Sequence, residues 1–197
     1  MHKLATKELI ACALFIALIT AGTFIRIPVG TDVYTLQFLA TLLAGLLLGP
    51  RLGVIAVATY VGMGLLGIPV FASGGGPAYV LQPTFGYLLG FIVQAAVNGW
   101  LARRVSSPRM RWMLGANLAG MAVVYLFGLA WFYVISNYVI AAPISAWLVI
   151  WYCGILQVVP DFLLCVAAAL IAERCRKAGF WFAPAAMLPD RAARANY

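Results

Sequence analysis

Residues 35–66 read TLQFLATLLAGLLLGPRLGVIAVATYVGMGLL and hold a single charged side chain, Arg51. Two apolar runs, Tyr34–Leu48 and Leu52–Leu66, flank Gly49-Pro50-Arg51. Proline cannot continue a helix and glycine ends one at little cost, so the triplet predicts a tight turn between two helical spans. Each run is shorter than the roughly 20 residues that cross a hydrocarbon core upright. Neighbouring spans or local thinning must absorb the mismatch.

The same texture extends both ways. Upstream, Leu9–Ile25 is apolar after a start carrying Lys3 and Lys7, and Arg26–Asp32 forms a short turn. Ile19-Thr20-Ala21 weakly resembles a leader cleavage site. The apolar run nevertheless continues past it, longer than a usual leader, which favours a span. Downstream, spans are expected at Pro83–Leu101, Trp112–Ile135 and Ile144–Ala172, the last with an interfacial start or a bend near Pro160. The expectation is an all-α membrane protein with six transmembrane helices. One membrane domain covers residues 1–177 and a cytoplasmic tail covers 178–197. Bulk composition agrees: 65% of the 197 residues are hydrophobic and 9% charged, against about 25% charged in soluble domains. A water-soluble chain of this length has too much surface per volume to hide that apolar content.

Six spans sort the thirteen basic residues. Lys3, Lys7, Arg51, Arg103, Arg104, Arg109, Arg111, Arg174, Arg176, Lys177, Arg191 and Arg194 fall on one side, and Arg26 alone on the other. The positive-inside rule then puts both termini in the cytoplasm of a bacterial plasma membrane. The +8 net charge is a topology signal rather than a nucleic-acid patch.

The segment Gly67–Gln82, GIPVFASGGGPAYVLQ, is uncharged and irregular, and it falls on the outer side. Gly74–Gly76 allow close approach of backbone to a ligand, or a plain flexible connector. Phe71 and Tyr79 beside them favour a lid over something apolar. Pro83 and Thr84 open the next helix, whose positive end suits an anion, though proline is also an ordinary helix start. Asp161 is the one acidic residue deep in a span. It reads as a ligand contact or as a buried carboxyl bonded to a tyrosine or backbone group. Ala13, Ala17 and Ala21 line one face of the first span, to pack against the chain's own helices or to dock a separate membrane subunit. Gly45-xxx-Gly49 and Gly86-xxx-Gly90 read as internal packing. Cys12, Cys153, Cys165 and Cys175 have no paired spacing, and the only histidine is His2, so no metal site is expected. No phosphate-binding GxxxxGK[ST], HExxH or GxSxG motif occurs. An enzyme is not expected.

TLQFLATLLAGLLLGPRLG (35–53), GLLGIPVF (64–71), QPTFGYLLGF (82–91), ISNYVI (135–140) and VVPDFLLCVAAALIA (158–172) together resemble the BioY family. Its members are the biotin-specific S-components of energy-coupling-factor transporters. The likeness spans about residues 8–173. It implies the S-component fold, with biotin as ligand and no cofactor in this chain. The partners it implies are a transmembrane coupling subunit and two ATPase subunits that spend the ATP. Ligand contacts are expected from Gln37, Phe71, Tyr79, Thr84, Tyr87 and Asp161, with Asn137 and Trp151 as further candidates. Asp161 would accept from the ureido N–H groups. The Ala13/Ala17/Ala21 stripe resembles the family's docking face. Where many relatives read Pro-Gly-Asp, this chain has Val159-Pro160-Asp161, and where some carry lysine three residues later it has Leu164. The biotin carboxylate is therefore assigned to Arg26 or to the start of the fourth span. Other functions compatible with the residues are an S-component for a different vitamin or a structural, assembly-type membrane protein.

Overall fold

The computed structural model describes residues 5–29, 32–105, 109–140 and 142–180, with the side chains of 26–34 and of Tyr152 left aside. Lys3, Arg191 and Arg194, and most of the expected tail, lie outside the described residues. The described residues are mainly helical, with one pair of short strands and an irregular segment at 66–84. The chain's elements are α1 (Thr6–Phe24), β1 (Arg26–Val29), β2 (Asp32–Thr35), α2 (Gln37–Leu43) and a π-turn at Ala44–Leu48. These are followed by α3 (Gly49–Leu65), a 3-10 turn at Pro77–Leu81, α4 (Phe85–Ala102) and α5 (Met110–Val134). A second π-turn (Ile135–Val139), α6 (Ala146–Ile150), a third π-turn (Trp151–Ile155) and α7 (Leu156–Lys177) complete it. Among the described residues five helical stretches are long and apolar enough to cross a membrane: Thr6–Phe24, Gln37–Leu65, Phe85–Ala102, Met110–Val139 and Ala146–Lys177. The chain is a multi-pass membrane protein.

The first connection differs from expectation. Arg26–Val29 and Asp32–Thr35 are antiparallel strands in which Arg26 pairs with Thr35 and Ile27 with Tyr34. Adjacent backbone groups there satisfy one another where a bare turn would leave them open.

At Gly49 the backbone takes φ +90° and ψ 179°, values that L side chains avoid and glycine adopts freely. The π-turn and α3 abut at this glycine, yet the two arms lie side by side. A methyl group at Gly53 would come 3.0 Å from the Ala44 carbonyl oxygen. In a continuous helix those residues would be about 13 Å apart along the axis. The triplet therefore does turn the chain.

α1 buries Cys12, Phe15, Ile19, Gly22 and Thr23, and the Cys12 thiol reaches the Leu52 carbonyl at 3.7 Å. α4 and α5 approach closely because their contacts are glycines. A methyl group at Gly90 would sit 2.9 Å from Val124 Cα, and one at Gly86 would be 2.6 Å from the Phe127 carbonyl oxygen. In lipid, such close approach replaces the hydrophobic drive that water would supply. The Gly45 and Gly86 motifs do pack internally, as expected.

Polar side chains inside the bundle cap carbonyls. Asn98 Nδ2 donates to Leu42 O at 3.0 Å, just before the π-turn, and to Asn117 Oδ1 at 3.3 Å. Asn117 Nδ2 continues to Cys165 O at 2.9 Å. Arg103 follows α4 and is buried, its guanidinium donating to Leu46 O, Leu47 O and Gly99 O at 3.2–3.3 Å. It closes the helix end ahead of Gly49. Arg103→Gln is expected to cost on the order of 2–3 kcal/mol, because charged donors to otherwise orphaned carbonyls are lost. Thermal unfolding of the detergent-purified variant checks this.

Pro160 sits inside α7. It removes one intrahelical donor and crowds the preceding turn, and the π-turn at Trp151–Ile155 lies directly upstream. The widened turn therefore precedes α7, which itself runs on through Pro160.

Candidate ligand-binding site

Thr35 at the end of β2 and residues of the segment between α3 and α4 (Phe71, Ala72, Ser73, Tyr79 and Thr84) come together at one end of the bundle. A cavity of about 310 Å³ opens there, within the usual range of small-molecule sites, roughly 300–1,000 Å³. Its walls draw on several elements: Thr35 ends β2, Gln37 and Phe38 open α2, Tyr60 lies on α3, and Phe91 on α4. Phe132 on α5, Cys153 in the third π-turn, and Gln157 and Asp161 on α7 close the far side.

The cap is built by the glycine-rich segment. Phe71 and Gly74 exchange backbone hydrogen bonds at 2.9 and 3.1 Å, and Gly76 N donates to Gly64 O at 2.7 Å. Gly76 has φ +116°, so only glycine turns the chain there without strain. The segment carries Phe71, Ala72, Ser73 and Tyr79 over the cavity. Phe71 is buried, with its ring centroid 4.5 Å from Tyr79 and 5.6 Å edge-on to Tyr60.

Two polar groups are held by dedicated partners. Gln37 Nε2 donates to Tyr60 OH at 3.1 Å, and Tyr60 OH donates to Val70 O at 2.9 Å. The Thr23 hydroxyl lies 3.0 Å from the same phenol. This chain ties α1, α2, α3 and the cap together, and it fixes the Gln37 amide so that Oε1 is its remaining acceptor. Across the cavity, the buried Asp161 carboxylate accepts from Tyr125 OH at 2.8 Å. Asp161 is a buried carboxyl bonded to a tyrosine, and it also lines the cavity. Tyr87 OH donates to Cys153 O at 3.1 Å, bracing α4 against the third π-turn.

Of the eight residues singled out from sequence, Gln37, Phe71, Tyr79, Thr84, Tyr87 and Asp161 line this one cavity. Asn137 and Trp151 do not. Asn137 Nδ2 donates to Tyr133 O and Ile144 O, and its Oδ1 accepts from Ile144 N, so it holds the α5–α6 connection. Trp151 is 44% exposed and stacks on Trp147 at 6.3 Å, facing outward from the bundle. Sequence reasoning passed over Phe38, Tyr60, Phe91, Phe132 and Gln157. Gln157 had a signal, since it stands one helical turn before Asp161 and shares its face.

No lysine or arginine lines the cavity among the described residues. Arg26 pairs with Thr35, a lining residue, by backbone register. Its side chain is outside the described residues. On α1, Ala13, Ala17 and Ala21 are exposed, on the side away from the buried Cys12, Phe15 and Ile19. Among the described residues no helix covers the stripe.

Comparison with known proteins agrees with this architecture. The BioY family model matches residues 1–179. The chain is 42% identical over 178 residues to a probable biotin transporter BioY of Lysinibacillus sphaericus, covering 90% of both chains. It is 40% identical over 176 residues to the biotin transporter BioY of Thermotoga maritima, covering 87% of this chain and 96% of that one. In fold it is similar to a crystal structure at 2.1 Å of the S-component for biotin from an ECF-type ABC transporter, with TM-score 0.75 and 24% identity. That match covers 89% of this chain and 95% of the other. On its sequence over nearly the whole described length, the chain belongs to the BioY family.

Proposed function

We propose that this protein is the biotin-binding S-component of an energy-coupling-factor transporter, with the capped cavity as the biotin site. The observation that carries the reading is the pairing of Asp161 and Gln37 across a cavity otherwise walled by aromatic rings. Biotin presents two ureido N–H donors on a flat, sulfur-containing bicycle. A carboxylate and a fixed amide oxygen are acceptors for those donors, and Phe38, Phe71, Tyr79 and Phe91 supply apolar surface for the ring. The valerate carboxylate points to the rim, toward Thr84 ahead of the first turn of α4, whose positive end favours an anion. Arg26, paired by register with the lining residue Thr35, is the cation proposed to face it. The chain is a binding subunit and not an enzyme. It carries no cofactor of its own.

The same reading gives six crossings, with Gln37–Leu65 folding back at Gly49. It puts both termini in the cytoplasm of the bacterial plasma membrane, with the cavity facing outward, because the basic residues gather at the opposite end. The partners are a transmembrane coupling subunit, docked on the Ala13/Ala17/Ala21 face, and two ATPase subunits that hydrolyse ATP. Uptake of radiolabelled biotin in cells with and without the coupling subunits tests this. Accumulation above background is expected with them. Failure of any uptake in their presence removes the transport reading.

The cap makes a further prediction. Gly76→Val strains a backbone at φ +116° by about 1–2 kcal/mol and loosens the segment over the cavity. Biotin release, followed by stopped-flow displacement, is expected to speed up several-fold, with little change in the association rate.

A further inference from the structure

We propose that Gly64 and Gly128 set the width of the cavity, by forming two recesses that seat the Phe71 and Tyr87 rings back from the ligand. This rests on the reading of the cavity as the biotin site. Both glycines are buried in helices, Gly64 on α3 and Gly128 on α5. A methyl group at Gly128 would stand 2.6 Å from Tyr87 Cζ and closer still to the near edge of that ring. At Gly64 it would overlap three carbons of the Phe71 ring. Each ring therefore lies flat on bare helix backbone. Each also lines the cavity, so the thickness of a methyl group behind the ring is taken from the space in front of it.

Neither ring is free to slide sideways. Tyr87 OH is tied to Cys153 O at 3.1 Å, and Phe71 is wedged between Tyr60 and Tyr79. Packed interiors do not absorb one carbon without displacement. The displacement available to Tyr87 is toward the ligand. Gly64 and Gly128 touch no ligand themselves. They are positioning residues that act through the rings, and they tune the site to the thickness of a fused bicycle.

The test is a double-mutant cycle on purified protein, using Gly128→Ala, Tyr87→Val and the pair, with biotin and with its desthio analogue, which lacks the ring sulfur. Gly128→Ala is expected to weaken biotin on the order of tenfold and the thinner analogue less. In the Tyr87→Val background the same change is expected to cost under about twofold, because the ring it displaces is gone. An equal loss in both backgrounds, or an unchanged biotin-to-analogue ratio, overturns the proposal while leaving the biotin site standing. Tyr87→Val binding biotin like the parent protein contradicts the site itself. Should Gly128→Ala not purify as a folded protein, Gly64→Ala with Phe71→Val supplies the same cycle and the same outcomes.

Discussion

Asp161→Ala is expected to weaken biotin binding about a hundredfold, close to 3 kcal/mol, the scale of a lost charge-assisted hydrogen bond plus the ligand donor left unpaired. The carboxylate is 5% exposed and lines a cavity with no basic residue among the described ones. Water is therefore a poor substitute once the acceptor is gone. Asp161→Asn keeps the shape but has one acceptor oxygen in place of two, so a loss nearer tenfold is expected. Neither change should unfold the protein. The Tyr125 phenol, half-buried and donating to Asp161 at 2.8 Å, loses one partner worth about 1 kcal/mol. Isothermal titration gives the affinities, and thermal unfolding of the ligand-free variants separates binding from stability. A structural, assembly-type role for the chain predicts the reverse: lowered stability and no ligand binding to lose.

Ala13→Leu with Ala17→Leu is expected to reduce biotin uptake to the background of cells lacking the coupling subunits, while biotin affinity of the isolated protein stays within about twofold. Both positions are exposed on α1, and the cavity is lined from other elements. Small residues at one-turn spacing let a second helix approach to backbone contact, and two isobutyl groups hold it off. In the proposed transport scheme the vitamin crosses only when the partner engages, which makes uptake an all-or-none readout. Unchanged uptake in the double variant would place docking on another face.

Much of the site was legible from the sequence because its residues stood out chemically. Asp161 is an acid in an apolar span, and Gln37 and Thr84 are polar at span starts. The three glycines flag a capping segment whatever its conformation. Facing was harder to read. Tyr60 sits in the middle of α3 among apolar neighbours, and only the hairpin at Gly49 brings its hydroxyl to Gln37. Trp151 precedes Asp161 on one continuous helical stretch, but the π-turn at Trp151–Ile155 changes the rotation per residue between them and leaves the indole outside. Asn137 is polar near the same end, yet the nearby connection consumes its hydrogen bonds. Arg103 resembles its basic neighbours in sequence. Its burial follows from the carbonyls exposed by the preceding π-turn, a feature with no signature in AGLLL. The β-hairpin was hidden because RIPV and DVYT are too short to establish strand alternation.

The most direct test of the account is a titration of the purified protein, without partner subunits, against biotin, repeated with Asp161→Ala. The account predicts saturable binding at one site per chain with a dissociation constant below about 1 µM, equivalent to about −8 kcal/mol, and a strong loss in the variant. Absence of binding in that range by the parent protein, or equal affinity for the variant, would contradict it.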